Sequence, residues 1–169
     1  IVGQGDVLVS RKAFQIYTWL DKGHYRTDDT IKAHFKAQTL DRKPVEGKGE
    51  LTLYHITYDA KQQPVEKAVE TWKLDTNVEG VAIQQIKAAK PGQYRLSYKL
   101  SAKSPGKAFP GESIEGGQVF LVRGEGFDST GYRFNDIELI PDRKEYQPGE
   151  KVKLNINVNK NNGTVLLFA

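Results

Sequence analysis

The chain has 169 residues, room for one large or two small domains, with a formal net charge of +4 and an isoelectric point near 9.1. It contains no Cys, which excludes a disulfide framework, a thiolate nucleophile and a cysteine zinc site. Its lysines alternate with apolar residues (Lys32, Lys36; Lys151, Lys153) instead of gathering on one face as a nucleic-acid groove requires, so no nucleic-acid partner is expected.

Tyr and Phe are frequent, eight and seven residues, which favours pleated structure. Residues 14–20 are rich in β-formers and read as a first strand, and 21–29 as a turn. Ile31, Ala33, Phe35 and Ala37 then alternate with Lys32, His34, Lys36 and Gln38, the period of a half-buried strand. Residues 41–47 are polar with Pro44 and Gly47 and read as a loop; 50–58 form another strand whose two faces both carry bulk. A polar turn at 59–64 leads to a strand at 69–74 containing Trp72. A turn at 75–80 leads to a strand at 81–88. Pro91-Gly92 fits the centre of a type II turn, with Gly supplying positive φ. Tyr94, Leu96, Tyr98 and Leu100 alternate with Arg95, Ser97 and Lys99. Residues 101–116 read as a long loop, and 119–122 as a seventh strand. Seven short strands without a helical stripe are the pattern of an all-β, immunoglobulin- or fibronectin-III-like antiparallel sandwich.

After a glycine-containing connector at 124–135 the pattern starts again. Ile137 and Leu139 belong to a strand, and 142–150 to a turn. Val152, Leu154, Ile156 and Val158 then alternate with Lys153, Asn155 and Asn157. Asn162-Gly163 is a type I′ hairpin signal, which explains those residues better than the glycosylation acceptor Asn162-Gly163-Thr164, and 165–168 return as a third strand. The expected organisation is therefore a complete module over 1–123, the connector, and the first strands of a second module over 136–169. The opening Ile1-Val2-Gly3 and the apolar close read as a segment of a longer chain, whose targeting signal or membrane tether would lie outside these residues.

Both modules open on one motif. Asp21, Tyr25, Asp28, Asp29 and Lys32 recur as Asp142, Tyr146, Gly149, Glu150 and Lys153, at a constant offset of 121 residues. Pro148 presets φ and Gly149 accepts the left-handed region, so that pair reverses the chain in minimal length. Thr27-Asp28 stand there in the first copy; Asp tolerates that region better than most residues. Each tyrosine is placed to bury its ring while its hydroxyl bonds nearby backbone, and each leading aspartate to cap the loop. These are structural roles.

The stretch Asp142-Arg-Lys-Glu-Tyr146-Gln-Pro148-Gly149-Glu150-Lys-Val152-Lys-Leu154 resembles the opening of a macroglobulin-like domain of bacterial alpha-2-macroglobulins, which typically begins Asp-Lys-x-x-Tyr-x-Pro-Gly-Glu. The first module is similar at Asp21, Tyr25 and Asp29. Its Asp75-Thr76-Asn77-x-Glu79-Gly80 and Pro91-Gly92-Gln93-Tyr94 resemble the late strands of the same domain type. The ending at 165–167 resembles the early strands of the domain pair that carries the bait region. The family's reactive segment, Cys-x-Glu-Gln, is absent, and no bait region is recognisable. The resemblance implies scaffold domains of a secreted or periplasmic protease trap, without cofactor. Their partners would be other domains of the same chain, with proteases as targets of the whole protein.

Other chemistry finds little support. His24, His34 and His55 lack metal-ligand spacing, although His34 and His55 are placed for neighbouring strands. No Gly-x-Ser-x-Gly elbow is present, and Asp41, Asp59, Asp75 and Asp142 sit in turns without a calcium-loop run. No enzyme activity is expected. The alternative is a tandem binding module of a bacterial surface adhesin or carbohydrate-binding protein, for which Trp72, Tyr54 and Tyr58 are the candidate aromatic row.

Overall fold

Strict alternation along 31–37 sets the first layer, because one face of that stretch must leave water and the other must not. The computed structural model describes residues 11–103, 113–125, 137–143, 145–158 and 164–167. Its strands are β1 (Gln15–Leu20), β2 (Tyr25–Arg26), β3 (Thr30–Gln38), β4 (Gly47–Tyr58), β5 (Pro64–Lys73), β6 (Val81–Lys87), β7 (Gly92–Ala102), β8 (Ser113–Arg123), β9 (Ile137–Pro141) and β10 (Leu154–Val158). Among the described residues there is no helix, so none is long and apolar enough to cross a membrane.

The fold is an all-β sandwich of the immunoglobulin/fibronectin-III kind. One sheet has the order β1-β3-β6, antiparallel throughout; the other has the order β2-β8-β7-β4-β5. The second sheet is antiparallel except where β2 runs parallel to β8 through Tyr25↔Val122 and Arg26↔Arg123. Ile31, Ala33, Phe35, Ala82 and Ile86 face inward from the first sheet, and Leu51, Leu53, Leu96, Tyr98, Leu100 and Phe120 from the second. Each of the Ile, Leu and Phe side chains among them contributes roughly 1.5–3 kcal/mol on leaving water. Phe35 and Tyr98 bridge the layers with ring centroids 4.5 Å apart. Beyond them, β9 and β10 form a separate antiparallel pair, Ile156 facing Leu139.

Several boundaries differ from the sequence expectation, each for a physical reason. The turn expected at 21–29 contains β2, whose two-residue parallel pairing leaves no periodic trace. The strand expected at 50–58 begins at Gly47, since Gly47 and Gly49 carry no side chain to mark the alternation. The strand expected at 69–74 covers 64–73. It is an edge strand, exposed at every position but Trp72, so it shows no buried face to read. Its register slips between Leu53↔Glu70 and Tyr54↔Ala68, leaving Val69 as a bulge of the kind that protects sheet edges. The loop expected at 101–116 is shorter at both ends: β7 continues to Ala102 and β8 starts at Ser113, where Gly116 and Gly117 interrupt the pattern.

Gly92 is the first residue of β7 with φ 157°, not the roughly +80° of the type II turn expected there. Val152 precedes β10 and is exposed, so the fourfold alternation begins one step later at Leu154. Of the expected strand at 165–168, residues 165–167 are not in a strand, and Leu166 is 74% exposed. Phe168, the Asn162-Gly163 turn and connector residues 126–135 lie outside the described residues, as do 104–112.

Candidate functional site

At the end of β1 the chain crosses from one sheet to the other, and the Asp21–Asp29 motif makes that crossing. Asp21 N donates to Lys32 O (3.1 Å) while Lys32 N donates to Asp21 Oδ1 (2.8 Å), so the carboxylate closes the β1–β3 ladder. Tyr25 Oη donates to the same Oδ1 (2.7 Å) and accepts from Lys22 N (3.1 Å). The Tyr25 ring is fully buried, edge-on to Phe120 at 6.0 Å. Arg26 N donates to Asp29 Oδ2 (3.0 Å) and Asp29 N to Arg26 O (3.1 Å). Between them Asp28 takes φ 71°, its N–H held by Ala88 O at 2.8 Å.

The second motif repeats the bonds of Asp21, Lys22, Tyr25, Arg26, Asp29 and Lys32, 121 residues on, with Glu150 in the place of Asp29. Asp142 N donates to Lys153 O (2.9 Å) and Lys153 N to Asp142 Oδ1 (3.1 Å). Tyr146 Oη donates to Asp142 Oδ1 (2.5 Å) and accepts from Arg143 N (2.9 Å). Gln147 N donates to Glu150 Oε2 (2.8 Å), Glu150 N donates to Gln147 O (3.1 Å), and Gly149 takes φ 89° after Pro148. In both copies the basic residue after the leading aspartate pairs with the acidic one and lies over the tyrosine ring: Lys22–Asp29 at 3.8 Å and Arg143–Glu150 at 3.3 Å, with Lys22 Nζ 6.0 Å and the Arg143 guanidinium 4.7 Å from the ring centres. The partners that the motif alone did not reveal are backbone groups of Lys22, Arg26 and Lys32 and their counterparts Arg143, Gln147 and Lys153. The basic pair Lys22/Arg143 at the same offset, whose side chains pair with Asp29 and Glu150, is the sequence signal that the motif left out.

The electrostatics of both clamps favour holding over reacting. Burial first, and then the bond to Asp21, push the Tyr25 hydroxyl far above the ordinary tyrosine value. Desolvation and then the Asp142 bond raise Tyr146 in the same direction. The Tyr146 hydroxyl lowers Asp142, and the Gln147 N–H followed by Arg143 lowers Glu150. A phenol held protonated against a carboxylate is a fastener, not a nucleophile, at neutral pH.

The other candidates do not converge. Trp72 pairs opposite buried Leu51 and packs on the core, whereas Tyr54 pairs opposite Arg95 on the outer face and Tyr58 bonds Gln93 at 2.9 Å. The aromatic row is thus divided between two faces of one sheet. His34 is on β3 and His55 on β4, in opposite sheets and not on neighbouring strands as expected. His34 stacks on Trp19 at 5.3 Å and His55 lies 5.0 Å from the Tyr94 ring. On the outer face of the three-stranded sheet, Tyr17 and Ile83 are about half exposed, flanking that Trp19–His34 stack. Tyr17 and Trp19, two apart in a β-rich run, were the sequence signal for this cluster.

The turn aspartates are each engaged locally. Asp41 pairs with Lys43, Asp59 Oδ1 accepts from the N–H groups of Lys61 and Gln63, and Asp75 Oδ1 accepts from Gly49 N. Among the described residues no group of three or more His, Asp or Glu comes together to hold a metal ion.

One ionic network ties the strands of the large sheet. Arg95 makes a bidentate pair with Glu66 on β5 (2.7 and 2.6 Å), reaches Glu115 on β8 (3.0 Å), and lies 4.9 Å from the Tyr54 ring centre. Ser97 donates to Glu115 at 2.5 Å. Arg95 holds Glu66 below the ordinary carboxylate value of 4.5; Ser97 and then Arg95 do the same for Glu115. Depressed carboxylates stabilise the fold above their unfolded value and lose that contribution as pH falls through the folded one. Stability is therefore expected to be level near neutrality and to fall below about pH 4.5. In thermal melts Arg95→Gln should lose about 1 kcal/mol at pH 7, the screened worth of a partly exposed network, and show a shallower decline between pH 5 and 3. Parallel pH curves for the two proteins would contradict this assignment.

No protein-family model matches the chain, and no curated protein sequence matches it. Among solved structures, the sporulation control protein Spo0M from Bacillus subtilis is similar over 88% of this chain and 91% of that chain, with 10% identity and a TM-score of 0.41. At that identity and score the likeness transfers no function.

Proposed function

We propose that these modules are scaffold domains of a macroglobulin-type protease inhibitor, working in the periplasm or outside the cell. The observation that carries this reading is the clamp repeated at an offset of 121. The side chains that the resemblance rests on, from Asp142 and Tyr146 to Glu150, bond in the same pattern as Asp21, Tyr25 and Asp29. A recurring module opening with one built-in fastener suits a tandem array whose task is mechanical: each module keeps its shape while neighbours move. In this reading the chain is not an enzyme and takes no cofactor, its partners are neighbouring domains, and capture of a protease is the work of the whole protein.

The test is protease capture by the complete polypeptide that carries these modules. Incubated with an endopeptidase and separated by size, it is expected to be cleaved at one region and to co-elute with the protease. A protease that elutes free after cleavage overturns the reading.

A further inference from the structure

The first clamp has a second neighbour. Gly23, in the loop between Asp21 and Tyr25, lies directly against the end of β9: a β-carbon built there would run into the Pro141 carbonyl oxygen and Ile140 Cγ2. Its backbone does not require glycine, since Gly23 is not among the residues with positive φ. Only the space forbids a side chain. Pro141 is followed at once by Asp142, the first residue of the second clamp, so the loop of one fastener bears on the strand that leads into the other. At the same offset of 121 the counterpart of Gly23 is Lys144, so glycine is not part of the motif itself.

We propose that Gly23 is a positioning residue at a fixed joint between the two modules. The Asp21–Tyr25 loop is an interaction surface, and its partner is the β9 strand of the next module in the same chain. The loop is suited to this because its own geometry is locked. Lys22 N and Asp21 Oδ1 are both bound to the Tyr25 hydroxyl, and that ring is buried. A rigid knuckle without a side chain lets backbone meet backbone, and a rigid contact resists reorientation where a modest interface between domains otherwise permits it. The joint does not rest on the protease-trap reading. A fixed joint in a protein that captures no protease sinks only that reading, and a free joint in one that does sinks only this.

The absence of Cys makes the test clean. Spin labels on Lys67→Cys and Lys151→Cys, both exposed, report the distance between modules in the 169-residue chain. The parent should give one narrow distance distribution. Gly23→Val should shift or broaden it by at least about 1–2 Å, the difference between a collision and ordinary contact near 3.5 Å. Gly23→Ala should do so to a smaller degree, and Lys36→Ala, at an exposed side chain of β3, should not. Circular dichroism checks that the sandwich persists; if Gly23→Val fails to fold, Gly23→Ala and Ile140→Gly, which removes the facing side chain, decide the question. A parent distribution as broad as the variants', or variants that coincide with the parent, overturns the joint.

Discussion

Tyr25→Ala is expected to lower the stability of the sandwich by about 3–5 kcal/mol, the range for deleting a buried aromatic side chain. The ring is fully buried, and Phe120 and the β2–β8 pairing lie against the cavity it would leave. Tyr25→Phe isolates the hydroxyl. It keeps the packing but removes the donor to Asp21 Oδ1 and the acceptor of Lys22 N, and should cost about 1–3 kcal/mol. A domain stable by about 5–15 kcal/mol survives the second change and is brought near its limit by the first. The matching change Tyr146→Phe should cost less, because the second tyrosine is only half-buried and water replaces its lost bonds. Urea unfolding of the three variants measures all of this. Equal losses for Tyr25→Phe and Tyr146→Phe would mean that burial does not govern the clamp.

The clamps also mark the limit of what the chain disclosed by itself. Residue types and spacing identified Asp21, Tyr25, Asp28 and Asp29 and their counterparts as turn-formers and packing residues, because local chemistry demands those types: a left-handed position, a buried ring, a capping carboxylate. Which atoms they would hold was not legible. Asp21 accepts from Lys32 N, eleven residues away, and the two meet only after β1 and β3 have paired in one particular register. The Gly23 contact with Pro141 is further removed still, joining positions 118 apart and visible only as an absent side chain.

The same distinction holds for the strands. β3 was legible because one of its faces is buried and the other wet, which writes the period into Ile31, Lys32, Ala33 and so on. β5 was half missed because an edge strand exposed on nearly every residue has no inside to report. The start of β8 was lost in Gly116-Gly117, where Ile16 of β1 packs so closely that Gly116 has no room for a β-carbon. The supposed aromatic row failed for a parity reason. Trp72 opposite Leu51 and Tyr54 three residues further along β4 must point to opposite faces, but that is known only once the β4–β5 register, bulge included, is in hand.

The second large effect is expected at the centre of the sandwich, where Gly49, Phe35 and Tyr98 form one packing unit. Phe35 and Tyr98 are both fully buried, and Phe35→Ala should cost about 3–5 kcal/mol. Tyr98 cannot shift to fill the space, because its hydroxyl donates to Leu74 O at 2.7 Å and burial pushes that hydroxyl well above the ordinary tyrosine value. Gly49 explains the fit. A β-carbon there would lie 2.7 Å from Tyr98 Cε2 and run into both its hydroxyl oxygen and the Leu74 carbonyl, although the Gly49 backbone is not in the positive-φ region. Gly49→Ala should therefore cost about 1–3 kcal/mol through overpacking. Removing the Tyr98 oxygen takes away one of its collisions, so the double variant Gly49→Ala/Tyr98→Phe should lose less than the sum of the single losses, by about 0.5–2 kcal/mol. A double-mutant cycle in urea measures that coupling. Strict additivity would show that Gly49 and Tyr98 do not share a constraint, and that the absence of a side chain at position 49 answers to the Leu74 carbonyl alone.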